Sequence, residues 1–147
     1  MCCLITFLLL HLTFVKIFNN LRSKSSTQLN KIHLIKGDVT IDNLGLSKED
    51  ETELIEKLNV IFHCAAKAKF ALTLKDALHF NTCGTLHVLQ VADKLKHLKV
   101  FHHVSTAYCH CENMELEERY YKSSEDPYDI IKLMENNFNE LEAMKPK

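Results

Sequence analysis

Tryptophan is absent from the 147 residues, and there are only three glycines and two prolines. So little turn chemistry argues against an all-β sandwich or barrel, a collagen-like repeat or a flexible linker. An excess of one charge is also missing. Eighteen Lys and Arg stand against nineteen Asp and Glu, a net charge of −1, so no chain-wide basic footprint for nucleic acid exists. Six cysteines are too few for a disulfide scaffold. Cys2, Cys3, Cys64, Cys83, Cys109 and Cys111 read as free thiols of a reducing compartment, with Cys64 in a buried strand. The chain is 46% apolar and 25% charged, which suits one packed domain and not wholesale disorder.

An apolar run of membrane-spanning length is missing too, since a spanning helix needs roughly 20 residues. In MCCLITFLLLHLTFV, twelve of fifteen residues are apolar, and Lys16 ends the run. A run of 18 is reached only by including Lys16, His11 and two threonines. No positive charge precedes Lys16 and no small-residue cleavage site follows, unlike a secretory signal. Residues 1–18 therefore carry three readings: a short membrane anchor, a hydrophobic strand and helix of a larger core, or a spurious chain start.

Regular patterning begins at Ile32. Residues 19–31 are polar and read as a helix end plus loop. Ile32-His33-Leu34-Ile35 is a short apolar run stopped by Lys36-Gly37-Asp38, the pattern of a strand. Ser47-Lys48-Glu49-Asp50 resembles a capping box, and Leu54, Ile55 and Leu58 give the helix behind it an apolar face. Val60 to Cys64 is almost continuously apolar, as a strand buried on both faces would be. A long helix is expected from Thr73 to His97, with Leu74, Ala77, Leu78, Leu89, Ala92 and Leu95 as its buried stripe. Val100 to Val104 is the next strand. Asp126-Pro127 then reads as an N-cap with proline at the first helical position. Ile130, Ile131, Leu133, Met134, Phe138 and Leu141 follow at helical spacing.

Strands alternating with helices mean βαβ units and a parallel sheet covered by helices, an α/β fold. Ligands of such sheets bind beyond the carboxyl ends of the strands. Those ends carry Gly37-Asp38, Ala65-Ala66-Lys67 and Ser105-Thr106, all small or polar. Gly37 permits a tight turn, and Asp38 can accept hydrogen bonds from an adenine amino group; an ordinary Asp turn fits the same context. Asn81 lies inside a helix it does not favour, on one face with Gly84, Thr85 and Val88. A glycine there suggests close approach of another backbone, and Asn81 would tie its helix to a neighbouring strand. A hydroxyl at Ser105 or Thr106 can hydrogen-bond a substrate carbonyl and stabilise charge developing on it. No G-x-S-x-G surrounds that pair, so it is not a nucleophile elbow.

His102, His103, Cys109, His110 and Cys111 resemble a metal-ligand set. Adjacent strand residues point to opposite faces, so His102 and His103 diverge, and C-x-C is not finger spacing. No metal site is expected. Tyr128 and Lys132 match Y-x-x-x-K, a spacing that puts phenol and ammonium on one helical face.

KIHLIKGDV (31–39), VIFHCAAKAKF (60–70), FNTCGTLHVLQVA (80–92), VFHHVSTAYCHC (100–111) and DPYDIIKLMENNFNELEAMKPK (126–147) occur in this order. Together they resemble an extended short-chain dehydrogenase/reductase, and more narrowly the fatty acyl-CoA reductase family, insect-type members especially. The resemblance covers roughly residues 17–147. It implies an incomplete Rossmann-like parallel sheet with flanking helices, in which residues 19–147 are a partial NAD(P)-binding domain. It also implies NADPH as cofactor, long-chain fatty acyl-CoA as substrate, and reduction to a primary alcohol by two successive hydride transfers. By the same resemblance, Gly37 and Asp38 lie near the adenine, and Ala65 and Ala66 line the ribose path with His63 in the same motif. Asn81 is then the structural Asn of the central helix, and Thr106 the catalytic hydroxyl with Ser105 beside it. An intracellular, membrane-associated location, at the peroxisome or the endoplasmic reticulum, goes with the family.

The chain also departs from that pattern. It has no G-x-x-G-x-x-G turn to hold a pyrophosphate at a helix N-terminus, and its first glycine is Gly37. The family's Y-x-x-x-K follows the segment matching 126–147, which makes Tyr128 and Lys132 a decoy. The expectation is a fragment without reductase activity of its own, binding NADPH poorly and prone to aggregate through an exposed sheet edge. Two alternatives are a sugar-nucleotide or steroid reductase or dehydratase of the extended family, and a non-catalytic membrane-associated remnant anchored by residues 1–18. HVSTAYCHC and the acidic loop Glu112–Glu118 favour the acyl-CoA reductases.

Overall fold

The structure is a computed structural model and describes residues 3–6, 19–24, 31–69, 71–106, 108–110, 113–123 and 125–136. The rest of the N-terminal hydrophobic run, and Phe138 and Leu141 of the last helical pattern, lie outside the described residues. The elements are β1 (Cys3–Thr6), α1 (Asn19–Lys24), β2 (His33–Lys36), α2 (Lys48–Lys57), β3 (Val60–His63), α3 (Leu74–Ala77), a π-helical segment (Leu78–Cys83), α4 (Gly84–Ala92), β4 (Val100–His103) and α5 (Pro127–Asn136).

Pairing is parallel throughout. Cys3 to Thr6 lie opposite His33 to Lys36, and Val60 to His63 lie opposite Val100 to His103. Among the described residues the strands form two parallel pairs, β1–β2 and β3–β4. Helices flank them, so the architecture is an incomplete Rossmann-like α/β sheet. No helix among the described residues is long and apolar enough to cross a membrane.

Local chemistry explains the helix starts. Ser47 Oγ accepts from the Asp50 backbone N–H at 3.1 Å and opens α2. Thr73 Oγ1 does the same with Asp76 at 3.1 Å for α3. Asp126 accepts from the Tyr128 N–H at 2.8 Å, with Pro127 at the first helical position of α5. Each satisfies an amide that the first helical turn leaves without an internal partner.

Two apolar clusters hold the layers together. Ile35 of β2 packs with Leu54, Leu58 and Leu95, while Val39 and Leu44 pack with Val88 and Val91 of α4. Ile61 touches both clusters, joining β3 to the β2 side. The turn Asp42–Gly45 belongs to the second cluster. Asn43, Leu44 and Gly45 all have positive φ, at 53, 56 and 60°. For Leu44 that backbone costs about 1–2 kcal/mol. Full burial of its side chain, 1% exposed, offsets this by about 1.5–3 kcal/mol. Lys94 Nζ, held by Asn43 at 2.7 Å and Glu51 at 2.9 Å, pins the turn from outside.

Three expectations are corrected. First, β3 is covered on one face only: Phe62 is 64% exposed and Cys64 is exposed, while Ile61 and His63 face inward. The apolar run reads as two-sided burial, but among the described residues helices cover only the Ile61 and His63 side of the β3–β4 pair. Second, the long helix ends at Ala92 and not at His97. Competing bonds draw the next residues out: Lys96 N–H donates to Ile55 O at 3.1 Å, and Asn59 Nδ2 donates to His97 O at 3.1 Å. Third, Leu89 is exposed, and the buried face of α4 is Gly84, Val88, Val91 and Ala92. Counting about 3.6 residues per turn from Leu74 reaches Val88 and Ala92, which are buried, and leaves Leu89 at the edge of that face.

Candidate functional site

The register of β3 and β4 sets the site. His63 lies opposite His103, and Val104 N–H donates to His63 O at 2.9 Å. Ala65-Ala66-Lys67 and Ser105-Thr106 therefore leave the same end of one strand pair. Ala65 packs into the core, whereas Ala66, Ser105 and Thr106 are exposed. Thr106 Oγ1 accepts the Tyr108 backbone N–H at 3.2 Å. That bond uses a lone pair, so the Thr106 hydroxyl proton stays available to a substrate oxygen.

Gly37 is buried and Asp38 exposed at the carboxyl end of β2. Asp38 Oδ1 accepts from Thr40 twice, from N–H at 2.9 Å and from Oγ1 at 2.8 Å. This is the ordinary Asp turn, and it leaves Oδ2 without a hydrogen-bond partner among the described residues. The Thr40 bonds, and more weakly the charge of His79, hold the carboxyl below the usual Asp range. Asp38 is thus a carboxylate with one oxygen committed to the turn and one open to a ligand donor.

His63 is buried, 4% exposed. Its Nε2 lies 3.1 Å from Thr85 Oγ1, and Thr85 Oγ1 donates to Asn81 O at 2.6 Å. Since the threonine spends its proton on Asn81, the geometry assigns the His63 proton to Nε2. Burial, and then the neighbouring His103, push the imidazole below the usual histidine range. The unfolded chain protonates His63 near 6.5 and the folded chain only at lower pH. Its contribution is therefore complete above that value and is lost as pH falls through the window beneath it. The thermal midpoint should drop on going from about pH 7.5 to about pH 5.5, and His63→Gln should flatten that drop. Parallel pH curves for the two proteins would exclude His63 as the cause.

Asn81 does what its position suggested. Its Oδ1 accepts the Lys67 N–H at 2.9 Å, and its Nδ2 donates to the Lys67 carbonyl at 3.2 Å. The helix is thereby tied to the segment leaving β3. Gly84 meets Val39: an added β-carbon would lie 3.2 Å from Val39 Cβ and Cγ2. His87 Nδ1 lies 2.7 Å from Val39 O, and its Nε2 lies 3.2 Å from Asp42. One helix thus braces the loops behind both β2 and β3. The sequence pattern placed Thr85 on the Asn81 face without a role, and it did not reach the Lys67 side chain, His79 or His87. The closest signal was the helical face that Asn81 shares with Gly84 and Thr85.

The remaining candidates do not converge. His102 stacks with Phe62 at 5.5 Å and His103 with His63 at 5.1 Å, on opposite faces. Among the described residues no group of three His, Cys, Asp or Glu is placed to hold a metal. Cys64, Cys83 and Cys109 are free thiols, and burial raises the pKa of Cys83. Cys111 and Glu112 lie outside the described residues. Lys132 approaches Asp129 at 3.6 Å, and Tyr128 is exposed.

The strand ends thus offer small residues, one open carboxylate oxygen, hydroxyls and an ammonium. That donor set fits the adenine, ribose and phosphate of a dinucleotide, although 1–147 contains no Gly-rich phosphate turn.

A model of the NAD-binding family described as Male sterility protein matches residues 10–145. Fatty acyl-CoA reductase 1 of Xenopus laevis is 38% identical over 120 residues, 82% of this chain and 23% of the relative. The Homo sapiens protein of the same name gives the same identity and coverage. A putative fatty acyl-CoA reductase of Drosophila melanogaster is 38% identical over 122 residues, 82% of this chain and 24% of the relative. The chain spans about a quarter of the length of these relatives.

Proposed function

The chain belongs to the male sterility protein family, with the fatty acyl-CoA reductases it matches, and on that premise we propose that residues 19–147 are part of the cofactor domain of an NADPH-dependent, alcohol-forming fatty acyl-CoA reductase. The observation that carries this reading is the β3–β4 register, which brings Ala65-Ala66 and Ser105-Thr106 to one strand end. NADPH, when bound, supplies the hydrides that take a long-chain thioester to the alcohol. Asp38 Oδ2 accepts from the adenine end. Ala66 lets the ribose approach the backbone, and Asn81 fixes that backbone. His63 holds the strand against the helix through Thr85, as a packing group without its own cofactor contact. Thr106 donates a hydrogen bond from its hydroxyl to the substrate carbonyl oxygen, with Ser105 as a second donor. Membrane association at the peroxisome or the endoplasmic reticulum belongs to the same proposal and is supported by the resemblance.

Residues 1–147 by themselves should bind NADPH weakly, with a Kd of about 1 mM, or about −4 kcal/mol. They should not oxidise it in the presence of a long-chain acyl-CoA. Titration calorimetry checks the affinity, and micromolar binding would refute the expected weakness. Amide shifts followed by NMR during the same titration check the site. Shifts centred on residues 37–38, 64–67 and 105–106 support the dinucleotide reading, and a titration without them excludes it.

A further inference from the structure

We propose that Lys67 contacts a phosphate of the bound dinucleotide, seated for that task by the π-helical segment Leu78–Cys83. This rests on the dinucleotide reading above and adds a residue to it. Lys67 leaves the carboxyl end of β3, where ligands of parallel sheets bind. Its backbone is fixed at both polar atoms by the Asn81 side chain, at 2.9 and 3.2 Å. Its ammonium sits 3.3 Å from the centroid of the Phe80 ring. A cation on an aromatic face is held by the ring quadrupole while its other sides stay open to an anion.

An aromatic face, and not a carboxylate, positions the Lys67 ammonium. Lys57, Lys94, Lys96 and Lys132 each meet a carboxylate. Lys67 meets none among the described residues, and it is exposed. Its charge is placed without being neutralised.

Both partners of Lys67 lie in the π-helical segment. Such i→i+5 turns are rare and concentrate at functional sites. Here the consecutive residues Phe80 and Asn81 both reach Lys67, one through its side chain and one through its backbone. The residue before them, His79, packs edge-on to Phe80 at 5.6 Å and acts electrostatically on Asp38. One irregular turn therefore serves two strand ends. A preorganised ammonium beside the ribose path suits a phosphate as a point charge.

The test compares the wild-type chain with Lys67→Met and Lys67→Arg. Each is titrated with NADPH, NADH and coenzyme A at low and at physiological ionic strength, with amide shifts as readout. Lys67→Met should raise the Kd for NADPH and NADH about tenfold, and its binding should depend less on salt. Lys67→Arg should stay within about threefold of wild type. A Met variant that binds NADPH as wild type does, with the same salt dependence, overturns the proposal and leaves the dinucleotide reading standing. A loss confined to NADPH would move the contact to its extra ribose phosphate, still a dinucleotide phosphate. A loss confined to coenzyme A would overturn it in favour of a substrate phosphate. A wild-type chain that shifts with none of the three overturns both readings. Lys67 is exposed, so folding should not confound the comparison.

Discussion

Gly84→Val is expected to cost about 2 kcal/mol or more of folding stability, by overpacking. The first carbon of any side chain at Gly84 would stand 3.2 Å from Val39 Cβ and Cγ2. Val39 is buried, and its carbonyl is held by His87 at 2.7 Å, so it has little room to withdraw. Valine adds two methyls to a contact that is already tight for one carbon. Gly84→Ala should do less harm, because alanine recovers about 1 kcal/mol of helix propensity against the same contact. Urea unfolding of both variants gives the comparison. The effect should also reach the ligand side, since Val39 follows Asp38 directly. In Gly84→Val the amide shifts at Asp38 and Thr40 should move even without ligand. Wild-type stability in Gly84→Val would mean that α4 does not lie against residue 39.

Leu54→Ala should be the more costly change, about 3 kcal/mol, which for a chain of this length lowers the thermal midpoint by about 10 °C. Leu54 is 1% exposed and sits among Ile35, Leu58 and Leu95, where β2, α2 and the end of the α4 segment meet. Truncation leaves a cavity that three different elements would have to close. Leu89→Ala is the matched control. Leu89 is 39% exposed, so the same chemical change should cost below about 1 kcal/mol. Counting apolar residues by helical spacing treats the two leucines alike. Comparable losses at both positions would mean that Leu89 is buried as Leu54 is.

The apolar runs at 32–35, 60–64 and 100–104, with helical patterns between them, determined a parallel α/β arrangement by themselves. Strand and helix periodicities are local properties of the chain. The caps at Ser47 and Asp126 were legible for the same reason, because a cap joins residues two or three positions apart. Asn81 and Gly84 announced themselves by being poor helix formers inside a helix. Asp38, Ala65, Ala66 and Thr106 were placed by their position at strand ends.

Tertiary structure decided everything that depends on a partner distant in sequence. It put water against Phe62 and Cys64, because a strand cannot encode whether both its faces will be covered. It stopped the long helix at Ala92, because Ile55 and Asn59 compete for the backbone of Lys96 and His97. It packed Val88 and Val91 against Val39 and Leu44, and so left Leu89 at the edge of the buried face. It turned His63 from a motif residue into a buried group bonded to Thr85 across 22 positions. It also set Lys67 on Phe80, a contact between a strand end and a helix that no local pattern contains.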